Sequence, residues 1–224
     1  MRIENAVALE DVELERKLAA LHYFKEIRRH DDMQFQALIK LSRFIYLQPG
    51  EYLFRRGDKD QYIFFLMRGE LEACAGDGSE ASLGVLIPGE VFGEIAVITG
   101  GYRTASVRVP ERARETVVFS TDFGKLGALD DHRSISLITK LILYRQIVHI
   151  LRWRNDRYRV NFPQNRLAVS SYTMPPFSGH LGSQAELEYL SRQASYLAKR
   201  LVSLNNNFCI ELDNPDKALS AVSA

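Results

Sequence analysis

The sequence predicts a mainly β chain with added helices: an antiparallel β jelly roll flanked by N-terminal helices and a C-terminal helical region. Three observations carry this. From Phe44 onward, Tyr52 to Phe54, Tyr62 to Met67, Glu70 to Ala75, Ser82 to Ile87, Ser106 to Val109 and Glu115 to Phe119 are short β-forming runs separated by glycine and proline, the punctuation of a sandwich or jelly roll. Pro49-Gly50-Glu51 and Pro88-Gly89-Glu90 place Pro and Gly where a type II turn wants them, so their recurrence reads as turn chemistry and not as an internal repeat. Helical spacing of apolar residues brackets this β region on both sides.

Taken in order, residues 1–43 form an N-terminal helical unit. Residues 7–29 read as one helix, with Leu14, Leu18 and Leu21 at helical spacing and Phe24 and Ile27 extending the stripe. His30-Asp31-Asp32 breaks it and offers an N-cap, and Phe35, Leu38, Ile39 and Leu41 make a second short helix. Residues 44–130 form the jelly roll, in which Gly76-Asp77-Gly78 is a further turn. Asp130-Asp131 is the expected cap of a long helix over 131–162, with Asn161-Phe162-Pro163 ending it. Leu137, Leu141, Tyr144, Val148, Leu151, Asn155 and Tyr158 step by four and three along this helix, beside a second stripe of Leu143, Ile147 and Ile150. Two apolar faces predict one set on the sandwich and one meeting a partner chain, with Asn155 fixing the register.

Pro175-Pro176, Ser178-Gly179 and Gly182 mark residues 163–182 as a linker. Ser183-Gln184-Ala185-Glu186 is a capping box, and Leu187, Leu190, Ala194, Leu197, Leu201 and Leu204 follow in a heptad seam, an association helix over 183–206. The expectation is a homo-oligomer assembled through helices 132–160 and 183–204. Asn205-Asn206-Asn207 reads as a stop, and residues 207–224 as a polar tail.

Composition narrows the function. The chain has 224 residues, 46% of them hydrophobic, enough for one cored domain with appendages. Lys and Arg number 29 against 28 Asp and Glu, and a net charge of +1 indicates neither a nucleic-acid partner nor acidic lipid. Cys74 and Cys209 lack metal-type spacing, which predicts reduced thiols in a cytoplasmic protein. No apolar leader follows Met1-Arg2, and the most apolar stretch, Ile135 to Trp153, carries Lys140, Arg145, His149 and Arg152, so it reads as a buried helix and not as a membrane span. His30-Asp31 has no second His-rich element to complete a metal site and reads as a loop cap. Arg152, Arg154, Arg157 and Arg159 read as a solvated helix end complementing the macrodipole. No Ser, Cys or Lys nucleophile lies beside a base, so neither an enzyme nor a cofactor is expected.

The candidate site lies in Val91 to Val107, at Phe92, Gly93, Glu94, Ile95, Ala96, Arg103, Thr104 and Ala105. Gly93 lets backbone approach a ligand, Glu94 to Val97 form one helical turn with free N–H groups, and Arg103 supplies a planar fork suited to a phosphodiester. At these residues the chain resembles the cyclic nucleotide-binding domain of catabolite-activator-type regulators, cyclic-nucleotide-dependent kinase regulatory subunits and cyclic-nucleotide-gated channels. The run Gly57-Asp58-Lys59-Asp60-Gln61-Tyr62-Ile63-Phe64-Phe65-Leu66-Met67-Arg68-Gly69 matches a second signature of that family upstream.

The resemblance implies that Glu94 holds the ribose 2′-hydroxyl and Arg103 the cyclic phosphate, with Thr104 and the backbone N–H groups of residues 93–96 and 105 around them. Many members carry a proline before the arginine, whereas Gly100-Gly101-Tyr102 stands here, a looser and bulkier loop mouth. The implied function is a regulatory protein that binds cAMP or cGMP and signals through its C-terminal helices to a downstream protein that no motif identifies. Thr104 is similar to members that accept cGMP. The alternatives are a ligand-free oligomerisation scaffold and a catabolite-activator-type transcription regulator, although residues 164–224 show no helix-turn-helix pattern.

Overall fold

The computed structural model describes residues 1–18, 21–74, 82–170 and 174–213. Its strands are β1 (Arg2–Asn5), β2 (Ser42–Leu47), β3 (Tyr52–Phe54), β4 (Tyr62–Arg68), β5 (Leu71–Cys74), β6 (Ser82–Leu86), β7 (Val91–Phe92), β8 (Ser106–Arg108) and β9 (Thr116–Asp122). They form two antiparallel sheets, ordered β1-β2-β9-β4-β7 and β3-β8-β5-β6. Both Pro-Gly-Glu turns are type II in character: Gly50 and Gly89 have φ +79° and +93°, and Glu51 and Glu90 N–H close onto Gln48 and Ile87 carbonyls at 3.1 Å. The Gly76-Asp77-Gly78 turn and the end of the tail, 214–224, lie outside the described residues.

The five-stranded sheet is buried on both faces, and period-two alternation sorts its side chains. Ile45, Leu47, Phe64, Leu66 and Val118 face the second sheet, together with Phe54, Leu71, Leu86 and Val107. Phe44, Tyr46, Ile63, Phe65 and Phe119 face a helical layer. Phe24 anchors that layer, its ring edge-on to Phe119 at 5.2 Å and to Phe65 at 5.9 Å, packing that contributes about 0.5–1.5 kcal/mol per aromatic pair beyond area burial.

The helices are α1 (Asp11–Leu18), α2 (His22–His30), α3 (Asp32–Lys40), α4 (Glu94–Thr99), α5 (Leu137–Asn161), α6 (Arg166–Val169) and α7 (Gln184–Asp213). The single helix expected over 7–29 is instead a 3-10 turn at Ala6–Ala8 followed by α1 and α2, with Leu21 extended between them. Leu14, Leu18, Leu21, Phe24 and Ile27 are all buried nonetheless. Asp31 caps α3 as expected, accepting from Gln34 N–H at 3.2 Å.

Asp130-Asp131 does not cap the long helix. Ser136 does, its Oγ accepting from Thr139 N–H at 3.3 Å, while its own N–H donates to Gln34 Oε1 at 2.7 Å and ties α5 to α3. Asp131 sits in the preceding loop, where hydrogen bonds from Arg133 hold its carboxyl well below the usual carboxylate range. The expected linker contains α6, capped by Asn165 Oδ1.

The largest correction concerns the expected association seams. Leu187, Leu190, Ala194, Leu197, Leu201 and Leu204 are buried within this chain, as are Leu141, Val148, Leu151 and Asn155, because α7 lies along α5 and reaches α4. Asn155 does fix a register, but against its own chain: its Nδ2 donates to Leu197 O at 3.4 Å. The seam residues therefore satisfy each other in cis. The helix also continues past Asn205-Asn206-Asn207 to Asp213, contrary to the expected stop. At its start, Ser183 Oγ accepts from Glu186 N–H at 3.3 Å, and Glu186 reaches back to Gly182 N–H at 2.6 Å while pairing with Arg145.

Candidate functional site: a cavity under the C-terminal helices

Strand β7 delivers the chain to Gly93, whose φ of +83° turns it directly into α4. That conformation and the space both require glycine, since a Cβ here would lie 2.5 Å from Arg103 Nη1 and 2.9 Å from Phe64 Cδ2. The first-turn N–H groups of α4 have no acceptor within the helix. Glu94, the first helical residue, is fully buried.

Arg103 is buried as well, and its guanidinium lies over Phe54 at 4.5 Å and Phe64 at 5.0 Å. Nε donates to Asp60 Oδ2 at 3.0 Å, Nη2 donates to Asp60 Oδ1 and to Tyr62 O at 2.7 Å, and Nη1 donates to Gly93 O at 2.6 Å. Of the guanidinium's five N–H groups, one on Nη1 is left without an acceptor among the described residues. The upstream glycine segment holds this arrangement, because Gly57 N–H donates to Arg103 O at 2.9 Å and Arg103 N–H to Asp58 O at 2.8 Å. The two glycine signatures are thus two sides of one structural unit.

The Glu94 carboxylate faces a different cation. Arg154, from α5, brings Nε to 3.2 Å from Glu94 Oε1 and donates through Nη2 to Val91 O at 2.8 Å. The Nε contact lacks hydrogen-bond alignment, so both carboxylate oxygens are buried without a hydrogen-bond donor among the described residues. A buried polar atom in that condition is costly unless something else donates to it.

Phe92, Gly93, Glu94, Ile95, Ala96, Arg103, Thr104 and Ala105, the residues singled out from sequence, line one cavity of about 230 Å³. Arg154, Arg157 and Tyr158 of α5 and Leu201 and Asn205 of α7 supply the facing wall. Tyr158 hydroxyl donates to Asn205 Oδ1, and Asn205 Nδ2 donates to Thr104 Oγ1 at 3.2 Å. The arginine run at the end of α5 is accordingly divided. Arg154 enters the site, Arg157 lies over Trp153 at 4.8 Å, and Arg159 pairs with Asp156 at 3.2 Å.

The family model for the cyclic nucleotide-binding domain matches residues 44–130. These residues belong to the cyclic nucleotide-binding domain family. The chain is 33% identical over 93 residues to a cyclic nucleotide-gated cation channel subunit of Drosophila melanogaster, covering 38% of this chain and 14% of that relative. It is 35% identical over 78 residues to potassium/sodium hyperpolarization-activated cyclic nucleotide-gated channel 1 of Oryctolagus cuniculus, covering 35% of this chain and 8% of the channel. Among solved structures, a cyclic nucleotide-binding protein from Geobacter metallireducens aligns with a TM-score of 0.49 and 16% identity over 62% of this chain and 96% of its own.

The family match covers both the Gly57–Gly69 run and the Val91–Val107 stretch, but Asp60, Arg154, Tyr158 and Asn205 are not singled out as site residues from sequence. Asp60 carried a signal, since it sits inside the upstream signature. The other three lie beyond residue 130, where no local pattern connects them to the Val91–Val107 stretch.

Proposed function

We propose that this protein is a cyclic nucleotide receptor whose C-terminal helices read the state of the cavity. The observation that carries the proposal is the pair of buried, donor-free oxygens on Glu94 in the cavity that Arg103 also lines. A ribose hydroxyl would give the carboxylate the donor it lacks. The remaining Nη1 N–H of Arg103 and the first-turn N–H groups of α4 would then meet the cyclic phosphate. The names of the two channel relatives refer to gating by cyclic nucleotides, and the match to them supports the same ligand class. Because α5 and α7 supply part of the cavity wall, a nucleotide seated there would touch both helices, and any difference in those contacts between open and closed arrangements would shift their populations.

A second reading, a ligand-free scaffold, has one observation in its favour: Asp60, Tyr62 and Gly93 already engage four of the five Arg103 N–H groups. Isothermal titration with cAMP and cGMP separates the two. The receptor reading expects binding that Arg103→Ala weakens at least tenfold, in line with about 1.5–3 kcal/mol for a charge-assisted hydrogen bond. Glu94→Gln, which keeps the shape and loses the charge, should also weaken it. Wild-type protein that binds neither nucleotide leaves the scaffold reading.

A further inference from the structure

We infer that a groove between α5 and α7, separate from the Glu94 cavity, is a second binding site whose ligand is a phosphate monoester. The inference is independent of the receptor reading. The groove has a volume of about 360 Å³, and its lining includes Arg152, Asn155, Asp156 and Arg159 of α5 with Leu197 and Arg200 of α7. Positions 152, 155, 156 and 159 share one face of a helix. None of them lines the Glu94 cavity, which Arg154 and Tyr158 meet from another face of α5.

Three guanidinium groups thus come from two helices to one concave surface, and they are unequally engaged. Arg159 pairs with Asp156 at 3.2 Å. Arg200 is pinned through Nη2, which donates to the Leu167, Ala168 and Ser170 carbonyls at 2.8, 2.9 and 2.8 Å and so closes the end of α6. Its Nε is buried without an acceptor among the described residues. Arg152 makes no hydrogen bond or ion pair with any described residue. Between them Asn155, 9% exposed, donates through Nδ2 to the Leu151 and Leu197 carbonyls, while its Oδ1 is buried without a donor among the described residues. A solvated arginine on its own implies no ligand. An enclosed donor and an enclosed acceptor, both unmet, are costly and call for a group that both accepts and donates.

A phosphate monoester is such a group. Near neutral pH it carries a charge of about −1.5 to −2, which matches the excess of two positive charges that three arginines and one aspartate leave in the groove. Its oxygens suit guanidinium forks, and its singly protonated form has an O–H to offer the Asn155 carbonyl. A phosphodiester carries a single charge and no O–H, so the groove favours the monoester.

The test is isothermal titration of the full chain with glycerol 3-phosphate and with its methyl diester, at physiological salt so that diffuse surface attraction is screened. A parallel sedimentation assay uses phosphatidylcholine vesicles with and without phosphatidic acid, which presents the same monoester as a lipid headgroup. Glycerol 3-phosphate should bind, and the diester at least about tenfold more weakly. Arg152→Ala should weaken monoester binding by about three- to tenfold, and Arg152→Glu by more than that. Asp156→Asn, which removes the groove's carboxylate, should tighten it by about 1.5- to 5-fold, a gain that a purely structural role would not produce. A thermal melt of each variant confirms that it is folded. Vesicle recruitment that needs both phosphatidic acid and Arg152 supports the site with a lipid as the source, and soluble binding without recruitment supports it with a free phosphorylated molecule. Four results overturn the inference: no binding in either assay, a diester that binds as tightly as the monoester, affinity indifferent to Arg152→Glu and Asp156→Asn, or binding lost in Arg103→Ala but kept in Arg152→Glu, which would put the ligand in the Glu94 cavity. None of them bears on the cyclic nucleotide titrations, so the two readings fail separately.

Discussion

At position 93 the backbone, a guanidinium and an aromatic ring compete for the same space. With φ at +83° and a prospective Cβ at 2.5 Å from Arg103 Nη1, Gly93→Ala should cost about 1–3 kcal/mol through backbone strain and should also push Arg103 off the Gly93 carbonyl. Gly89 provides the comparison, because its φ is +93° but nothing lies within 4 Å of a Cβ. Gly89→Ala should cost only the conformational part, on the order of 1–2 kcal/mol. Urea denaturation of both variants checks the difference, and nucleotide titration should show weakened binding for the change at 93 alone.

These residue-scale requirements were partly legible beforehand. Gly93, Glu94, Arg103 and Thr104 lie within one short stretch, so local chemistry announced them. Asp60 emerged as the group that holds Arg103 only when the fold brought two separate loops together.

Among the elements, α5 and α7 show where periodicity stops being informative. The heptad steps identified both helices and their apolar stripes correctly, because 3.6-residue spacing is a property of the segment itself. They could not say which surface each stripe meets, since a seam that packs in cis has the same spacing as one between chains. The structure buries Leu197 at 1% exposure against its own chain. Leu197→Ala should therefore lower stability by about 2–5 kcal/mol, with a urea midpoint shift that is the same at dilute and at high protein concentration. A concentration-dependent loss would place the seam between chains. Strand β1 and the end of α7 escaped the sequence for a related reason. Arg2–Asn5 gains its strand conformation from pairing with β2, and Asn205, a stop signal by composition, is held in the helix by Tyr158 and Thr104.

For the molecule as a whole, the two sheets, α4 and the C-terminal pair meet around the cavity, so a ligand there would couple to global stability. A nucleotide at about 100 times its dissociation constant adds about 2.7 kcal/mol to a protein it binds only when folded. For a chain of this size that is a rise in Tm of roughly 5–11 °C, measurable by a thermal melt with and without cyclic nucleotide. Arg103→Ala, weakening binding at least tenfold, should remove about half of the rise or more at the same concentration.

The sequence by itself determined the β jelly roll, both type II turns and the contiguous stretch whose residues line the cavity, since alternation, turn chemistry and nearby spacing are written into local segments. Tertiary structure decided which side chains close the cavity, which carboxylate holds Arg103, and that the two heptad seams bury each other within one chain. Those outcomes depend on residues distant in sequence becoming neighbours, and no local periodicity records the identity of a distant partner.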